Sequence, residues 1–371
     1  MLFKRMPIEM ESPEEMGYAN IRYNLAESSV RDKTLGDLQV GPLEDVILCY
    51  GEHLGLHELR QTIALEHPDL QPEHVLVTTG AAMALFVVAS TLLDQTDHLV
   101  VIRPNYGTNL ETPRALGCEL TVVDLSFEEN FDLDPERLFA AIQPNTRLIS
   151  LANPHNPSGR LFPWDTIRRI VEYADRRGIY VLLDETYRDN NFQTPLQPYA
   201  ATLSDRAISI SSLSKAYGVP GLRCGWLICR DAALMQRFLA AKEQICIGGN
   251  VLDEAIAARM LQRRSALLAE SHDFIRKNYR ILQEGLAQMP WLEWVAPQAG
   301  VVCFPRLKAD VQLDFPRFKA ALYHDYQTVI GFGHWFEQPE RYFRIGFGFP
   351  LPEELEQGLL NFKACVEAYR V

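Results

Sequence analysis

The stretch SISSLSKAYGVPGLRCG, Ser209 to Gly225, decides how the rest of the chain is read. It opens as an alternation of serines with apolar residues (Ile208, Ile210, Leu213), the pattern of a strand edge running out into a loop. Lys215 stands where that pattern stops, with Ser212 and Ser214 before it and Gly218, Pro220 and Gly221 punctuating the backbone ahead of Arg223. Most lysines are solvated surface charges. A lysine held at a strand end and desolvated is different, because burial favours the neutral amine that can form a Schiff base. Which of the two Lys215 is depends on its company elsewhere.

Upstream, strand and helix patterns alternate. His74 to Thr79 reads as a buried strand and Gly80 to Leu93 as a helix. His98 to Ile102 and Leu120 to Leu125 read as strands, and Asp134-Pro135 as a helix start. Arg147 to Ala152 is a strand ending in NPHNPSG, Trp164 to Arg177 a helix, Ile179 to Asp184 a strand, and Ala207 to Ser211 leads to Lys215. Short, doubly apolar strands alternating with helices predict an α/β fold, a mostly parallel sheet covered by helices on both faces. Ligands gather beyond the carboxyl ends of such strands, where Gly80, Tyr106, Asn156, Asp184 and Lys215 all fall.

Downstream the texture changes. Ala232 to Leu286 is helix-rich, Trp291 to Phe304, Thr328 to Phe336 and Tyr342 to Gly348 read as strands, and Glu353 to Tyr369 as a closing helix with Leu355, Leu359, Phe362 and Val366 on one face. A smaller α+β domain is therefore expected. The division is 1–45 as an N-terminal arm and part of the small domain, 46–250 as the large domain, and 251–371 as the small C-terminal domain, with the boundary inside a helix near residue 250.

Composition narrows the classes. The 371 residues are 47% hydrophobic and 23% charged, ordinary for a globular protein of two lobes. Lys plus Arg is 36 against 48 for Asp plus Glu, a net charge of −12 with no basic run, which argues against a nucleic-acid surface. Seven scattered cysteines without a CxxC read as reduced thiols of a cytoplasmic protein. The best apolar run, Ala81 to Leu93, is shorter than the roughly 20 residues a membrane span needs, and no membrane partner is expected. His53 and His57 are four apart, but Gly55 between them and the lack of an HExxH pattern argue against a metal site.

The remaining residues have two readings each. Gly80-Ala81-Ala82 could hold a phosphate at a helix start, or merely let the helix pack closely. Ser212 and Arg223 could add a hydroxyl and a bidentate contact to the same phosphate. Asp184, closing an apolar strand, wants a cation such as a protonated ring nitrogen, or serves as a cap or internal ion pair. Tyr106 could stack on an aromatic ligand or simply pack. Taken together, a Schiff-base lysine, a phosphate cradle, a ring-nitrogen carboxylate and a stacking aromatic describe pyridoxal 5'-phosphate.

The ordered set TTGAAMA, RPNY, NPHNPSG, DETY, SLSKAYGVPGLRCGW and YFRIGF resembles the fold-type I, class I/II aminotransferases, from about Tyr50 to Phe347. The resemblance implies that Lys215 forms the Schiff base with the cofactor and shuttles the proton that leads to the quinonoid intermediate. It implies that Asp184 holds the ring nitrogen, that Asn156 and Tyr187 bond the ring oxygen, and that Tyr106 stacks on the ring. Gly80, Ala81, Ala82, Ser212 and Arg223 would bind the phosphate, and Arg344, with Asn156, the substrate carboxylate. Tyr50 would reach the phosphate of a neighbouring subunit, making the active unit a homodimer with its site at the interface. The implied reaction moves an amino group between an L-amino acid and a 2-keto acid.

The family pattern is not matched everywhere. Ser158 replaces a common threonine, Ala81-Ala82 offers no hydroxyl, and no arginine aligns with the one used for side-chain carboxylates. PHNPSG and SLSKAYGVPGLR also resemble the capreomycidine synthase branch, which implies elimination, cyclisation or oxidation of an arginine-like amino acid as the alternative. In AESSVRDKTLGDL, Glu27, Arg31, Asp32 or Lys33 could then line a side-chain pocket, Glu27 or Asp32 suiting a cation; a solvated arm is the plainer expectation.

Overall fold

The computed structural model describes residues 1–371. Eight strands come first: β1 (Tyr23–Leu25), β2 (Val75–Thr79), β3 (His98–Arg103), β4 (Glu119–Asp124), β5 (Thr146–Ala152), β6 (Tyr180–Asp184), β7 (Ala207–Ser212) and β8 (Cys224–Ile228). Seven of them form one sheet in the order β2-β8-β7-β6-β5-β3-β4. Only β8 runs against its neighbours; the other six point one way and end at Thr79, Arg103, Asp124, Ala152, Asp184 and Ser212. Both faces are apolar because successive side chains alternate. Leu99 and Val101 join a core with the helix Gly80–Leu92, while Val100 and Ile102 join the opposite core with Ile167 and Ile170 of the helix Trp164–Asp175. This is the doubly covered, mostly parallel sheet that the strand–helix alternation predicts.

The second domain has its own core. Here lie β9 (Leu292–Glu293), β10 (Val302–Cys303), β11 (Arg306–Leu307), β12 (Thr328–Phe332) and β13 (Phe343–Gly346). β1 pairs in parallel with β12, so the N-terminal arm is stitched to the end of the chain, and the sheet continues through β13 to β10. Helices Arg264–Ala287 and Pro352–Tyr369 pack on each other beside it, with Leu355, Leu359, Phe362 and Val366 all buried.

Four stretches differ from the sequence expectation. Trp291 to Phe304 is not one strand: only its ends pair, in two short pieces, because Pro297 and Gly300 (φ 76°) turn the chain between them. The strand from Thr328 stops at Phe332, and Gly333–Phe336 is a 3₁₀ turn. The helix Thr108–Leu116 carries a proline, Pro113, and a mixed pattern that hid it. β8 was unread because its short apolar run follows a loop of glycines. Residues 245–250 are non-helical. The helix after them, Val251–Leu261, packs against His57–Ala64 and β8, and partners change to the small domain only at Arg264.

Candidate active site

A cavity of about 1000 Å³ lies beyond the carboxyl ends of the parallel strands. β6 delivers Asp184 to it. The Thr186 N–H and hydroxyl both donate to Asp184 Oδ1, at 3.1 and 2.6 Å. Burial raises the Asp184 pKa, and the Thr186 bonds and the Lys215 charge pull it back. A carboxylate so placed is relieved by a cation in the cavity. Tyr187 is buried with a hydroxyl that has no hydrogen-bond partner. β7 ends at Ser212, and the loop that follows brings Lys215 to the cavity, where its Nζ lies 3.1 Å from Ser28 Oγ.

At one end of the cavity the helix Gly80–Leu92 begins with no side-chain cap, so the leading N–H groups of Ala81 and Ala82 border open space. Gly80 (φ 75°) sits behind them, and a Cβ there would come within 2.7 Å of Arg223 Nη2. A Cβ on Gly225 would come within 2.6 Å of the Ala81 nitrogen. The two glycines therefore let Arg223, in the left-handed region itself, lie against the helix start beside Ser212.

At the mouth, Arg344 of β13 is only 3% exposed. Its Nη2 donates to the Ala26 carbonyl at 2.8 Å and Nη1 to Asn156 Oδ1 at 3.4 Å, while Nε has no partner. Burial lowers its pKa, and none of the ion pairs in the protein includes it. Trp335 and Phe336 lie alongside the guanidinium. Tyr106 donates its hydroxyl to Glu9 at 2.8 Å, and burial raises its pKa. In NPHNPSG, His155 Nε2–H donates to the Pro104 carbonyl at 2.7 Å, which leaves Nδ1 to accept from the Ser158 hydroxyl at 2.6 Å. That pair locks the loop carrying Asn156, and burial pushes the His155 pKa down to about 4.

The remaining wall went largely unread in the sequence. Short helices Pro7–Met10 and Pro13–Met16, the 3₁₀ turn Tyr18–Asn20 and the residues after β1 line the cavity with Glu9, Glu14, Tyr18, Glu27 and Asp32. Burial and the Glu27 charge raise the Asp32 pKa, and one carboxylate oxygen of Glu27 is buried without a partner. Lys33 also lines the cavity, while Arg31 turns away to Glu354. Arg31 and Asp32 are exposed, as a solvated arm expects, whereas Glu27 and Lys33 are half-buried against the cavity. The wall's one sequence signal is the stretch AESSVRDKTLGDL, in which Glu27 or Asp32 would suit a cation. Tyr50 is not in the cavity; it is 88% exposed, on a second groove formed by 48–51 and 247–251. His53 pairs with Glu243 instead of facing His57.

Free helix N–H groups beside an arginine, a carboxylate and a lysine amine on the floor, and an unpartnered phenol between them suit a small molecule with a phosphate, a ring nitrogen and an aldehyde. Pyridoxal 5'-phosphate fits these residues. Residues 45–358 match the family of aminotransferase class I and II, and the chain belongs to it. It is a pyridoxal-phosphate-dependent enzyme of the aminotransferase class. Over 353 residues it is 29% identical to capreomycidine synthase of Streptomyces vinaceus, covering 92% of this chain and 89% of that one. It is also 29% identical, over 259 residues, to an arginine–pyruvate transaminase of Pseudomonas aeruginosa, covering 68% of this chain and 66% of the relative. A solved PLP-dependent aminotransferase from Streptococcus suis matches it at TM-score 0.90 and 25% identity, over 100% of this chain and 99% of that one.

Proposed function

We propose that this protein transfers the amino group of an L-amino acid with a cationic side chain to a 2-keto acid. Arg344 carries the proposal. A buried guanidinium with no carboxylate partner is costly until an anion arrives, and a substrate α-carboxylate would meet it as a fork. In the same cavity, Glu14, Glu27 and Asp32 form an acidic wall that suits a guanidinium or ammonium side chain.

Towards the cofactor, Ala81, Ala82, Ser212 and Arg223, with Gly80 behind them, would hold the phosphate. Asp184 would pair with the ring nitrogen, Asn156 and Tyr187 with the ring oxygen, and Tyr106 would cover the ring. Bound pyridoxal phosphate supplies an electron-withdrawing ring that lets the substrate Cα–H leave as a proton. Lys215 Nζ would attach the cofactor and, when free, take that proton from Cα. The arm supplies one wall of the cavity and brings the Ser28 hydroxyl to within 3.1 Å of the Lys215 amine.

The same acidic wall favours a second reading, elimination and cyclisation of an arginine-like substrate, and the likeness to capreomycidine synthase supports it. A panel of single amino acids, including arginine and hydroxyarginine, each assayed for keto-acid formation and ammonia release, separates the two. Keto-acid formation that needs an amino acceptor supports transamination; ammonia or a cyclic product without an acceptor supports the second reading.

The active unit is proposed to be a homodimer in the cytoplasm. Ile47, Leu48, Tyr50, Ile245 and Ile247 are exposed around the second groove, an apolar patch suited to a second copy. All seven cysteines are unpaired, and no helix is long and apolar enough to cross a membrane. The small domain is proposed to begin at Arg264, where helix packing changes sides.

A further inference from the structure

Ser28 is buried at 6% exposure, and its hydroxyl oxygen accepts from Lys215 Nζ at 3.1 Å, the one hydrogen bond that amine makes. The contact joins two domains: Lys215 belongs to the loop after β7, and Ser28 to the arm after β1. The join is built on both sides. The Val30 N–H donates to the Lys215 carbonyl at 2.9 Å and the Lys33 N–H to the Gly218 carbonyl at 2.7 Å. A Cβ on Gly218 would strike the Arg31 carbonyl, so only glycine allows the two backbones to lie this close. Before Ser28, Asn24 Oδ1 accepts from the N–H groups of Ala26 and Glu27 at 3.1 and 3.2 Å, and the Ala26 carbonyl is held by Arg344. A side chain fixed this firmly is preorganised for whatever it touches.

We propose that Ser28 is a positioning residue for Lys215. Its hydroxyl accepts from the ammonium and donates to the neutral amine, so it aims Nζ in either state and favours the charged one, the stronger of the two bonds. Through this bond the docking of the arm, which also carries the acidic wall, is coupled to the aim of the lysine. The proposal rests on Lys215 being the cofactor-binding lysine. Asp184 from the floor, Glu27 and Asp32 from the arm, and Tyr187, Arg223 and Arg344 share the cavity with Nζ and set the background field.

The test uses cofactor-free protein and added pyridoxal phosphate. The initial rate of labelling at Lys215, fixed by borohydride and read by peptide mass spectrometry, is followed against pH in wild type, Ser28→Ala and Ser28→Thr. Removing the acceptor destabilises the ammonium, so the midpoint in Ser28→Ala should fall by about half a unit to one unit, and threonine should restore it. Unchanged melting of cofactor-free Ser28→Ala shows that folding is intact; should alanine not fold, Ser28→Thr against the isosteric Ser28→Val makes the same comparison. Midpoints agreeing within about 0.2 units in a folded variant would overturn the Ser28 role alone. Wild-type labelling that avoids Lys215 would instead sink the cofactor assignment beneath it.

Discussion

The floor and the arm wall of the cavity are built by different rules. The floor, Asp184, Lys215, Asn156 and the helix start at Gly80, hangs on strand ends of a seven-stranded sheet buried on both faces. The wall, Ile8 to Lys33, holds its place through short helices, a three-residue strand and hydrogen bonds to distant segments. The first is rigid because β5, β6 and β7, which carry Asn156, Asp184 and Lys215, are paired on both sides and buried. The second is fixed at Asn24 to Lys33 by hydrogen bonds to other segments, while its short helices before β1 carry little secondary structure of their own. The proposed cofactor chemistry rests on the floor, and the proposed choice of side chain rests on the wall.

The sharpest way to break this comparison is at the floor. Lys215→Ala should abolish borohydride-fixed cofactor and lower turnover by roughly 10⁴-fold. Its melting should stay close to wild type, because the amine's single hydrogen bond is to Ser28. Turnover within tenfold of wild type would show that another group does the work.

Arg344→Ala should lower kcat/KM for the amino acid by about 10²–10³-fold while leaving cofactor binding intact. The Ala26 carbonyl and Asn156 lose their donor with it, so the cofactor-free protein should be destabilised by about 1–3 kcal/mol. Unchanged KM would remove Arg344 as the carboxylate clamp. Arg344→Lys, which keeps the charge and loses the fork, should recover little.

A smaller effect lies behind the floor. Glu185 is buried, both of its oxygens accept from the Ala200 N–H at 3.2 and 3.3 Å, and burial pushes its pKa up to about 8. The folded protein therefore binds this proton more tightly than the unfolded chain. Its contribution is full in acid and is lost as pH rises from the ordinary carboxylate range through about 8. Glu185→Gln should be neutral near pH 4 and stabilising by about 1–3 kcal/mol near pH 8, read by denaturant unfolding. Equal stability changes at both pH values would contradict the assignment.

The two regions also differ in how far they could be read from the chain. Floor residues sit where a local apolar run stops, so Asp184 at the end of YVLLD and Lys215 just after AISISS declare themselves within a few positions. Wall residues owe their place to β1 pairing with β12, some 300 positions away, and three residues are too few to show a period of two. Glu9 and Glu14 lie in four-residue helices with no apolar periodicity at all. The loop from Trp294 to Val301 reads as strand for the opposite reason. Its flanks are apolar, yet Gly300 is spent in a left-handed turn beside the Tyr187 ring. Tyr50 has no partner within its own chain, so a single copy leaves it in solvent.

The measurement that tests the account most directly is kcat/KM for arginine against norleucine in wild type and in Glu27→Gln with Asp32→Asn. The acidic wall predicts that wild type prefers arginine by about 10²-fold and that the double variant loses most of that preference with little change for norleucine. Equal rates for the two amino acids in wild type, or a preference that survives the double substitution, would contradict it.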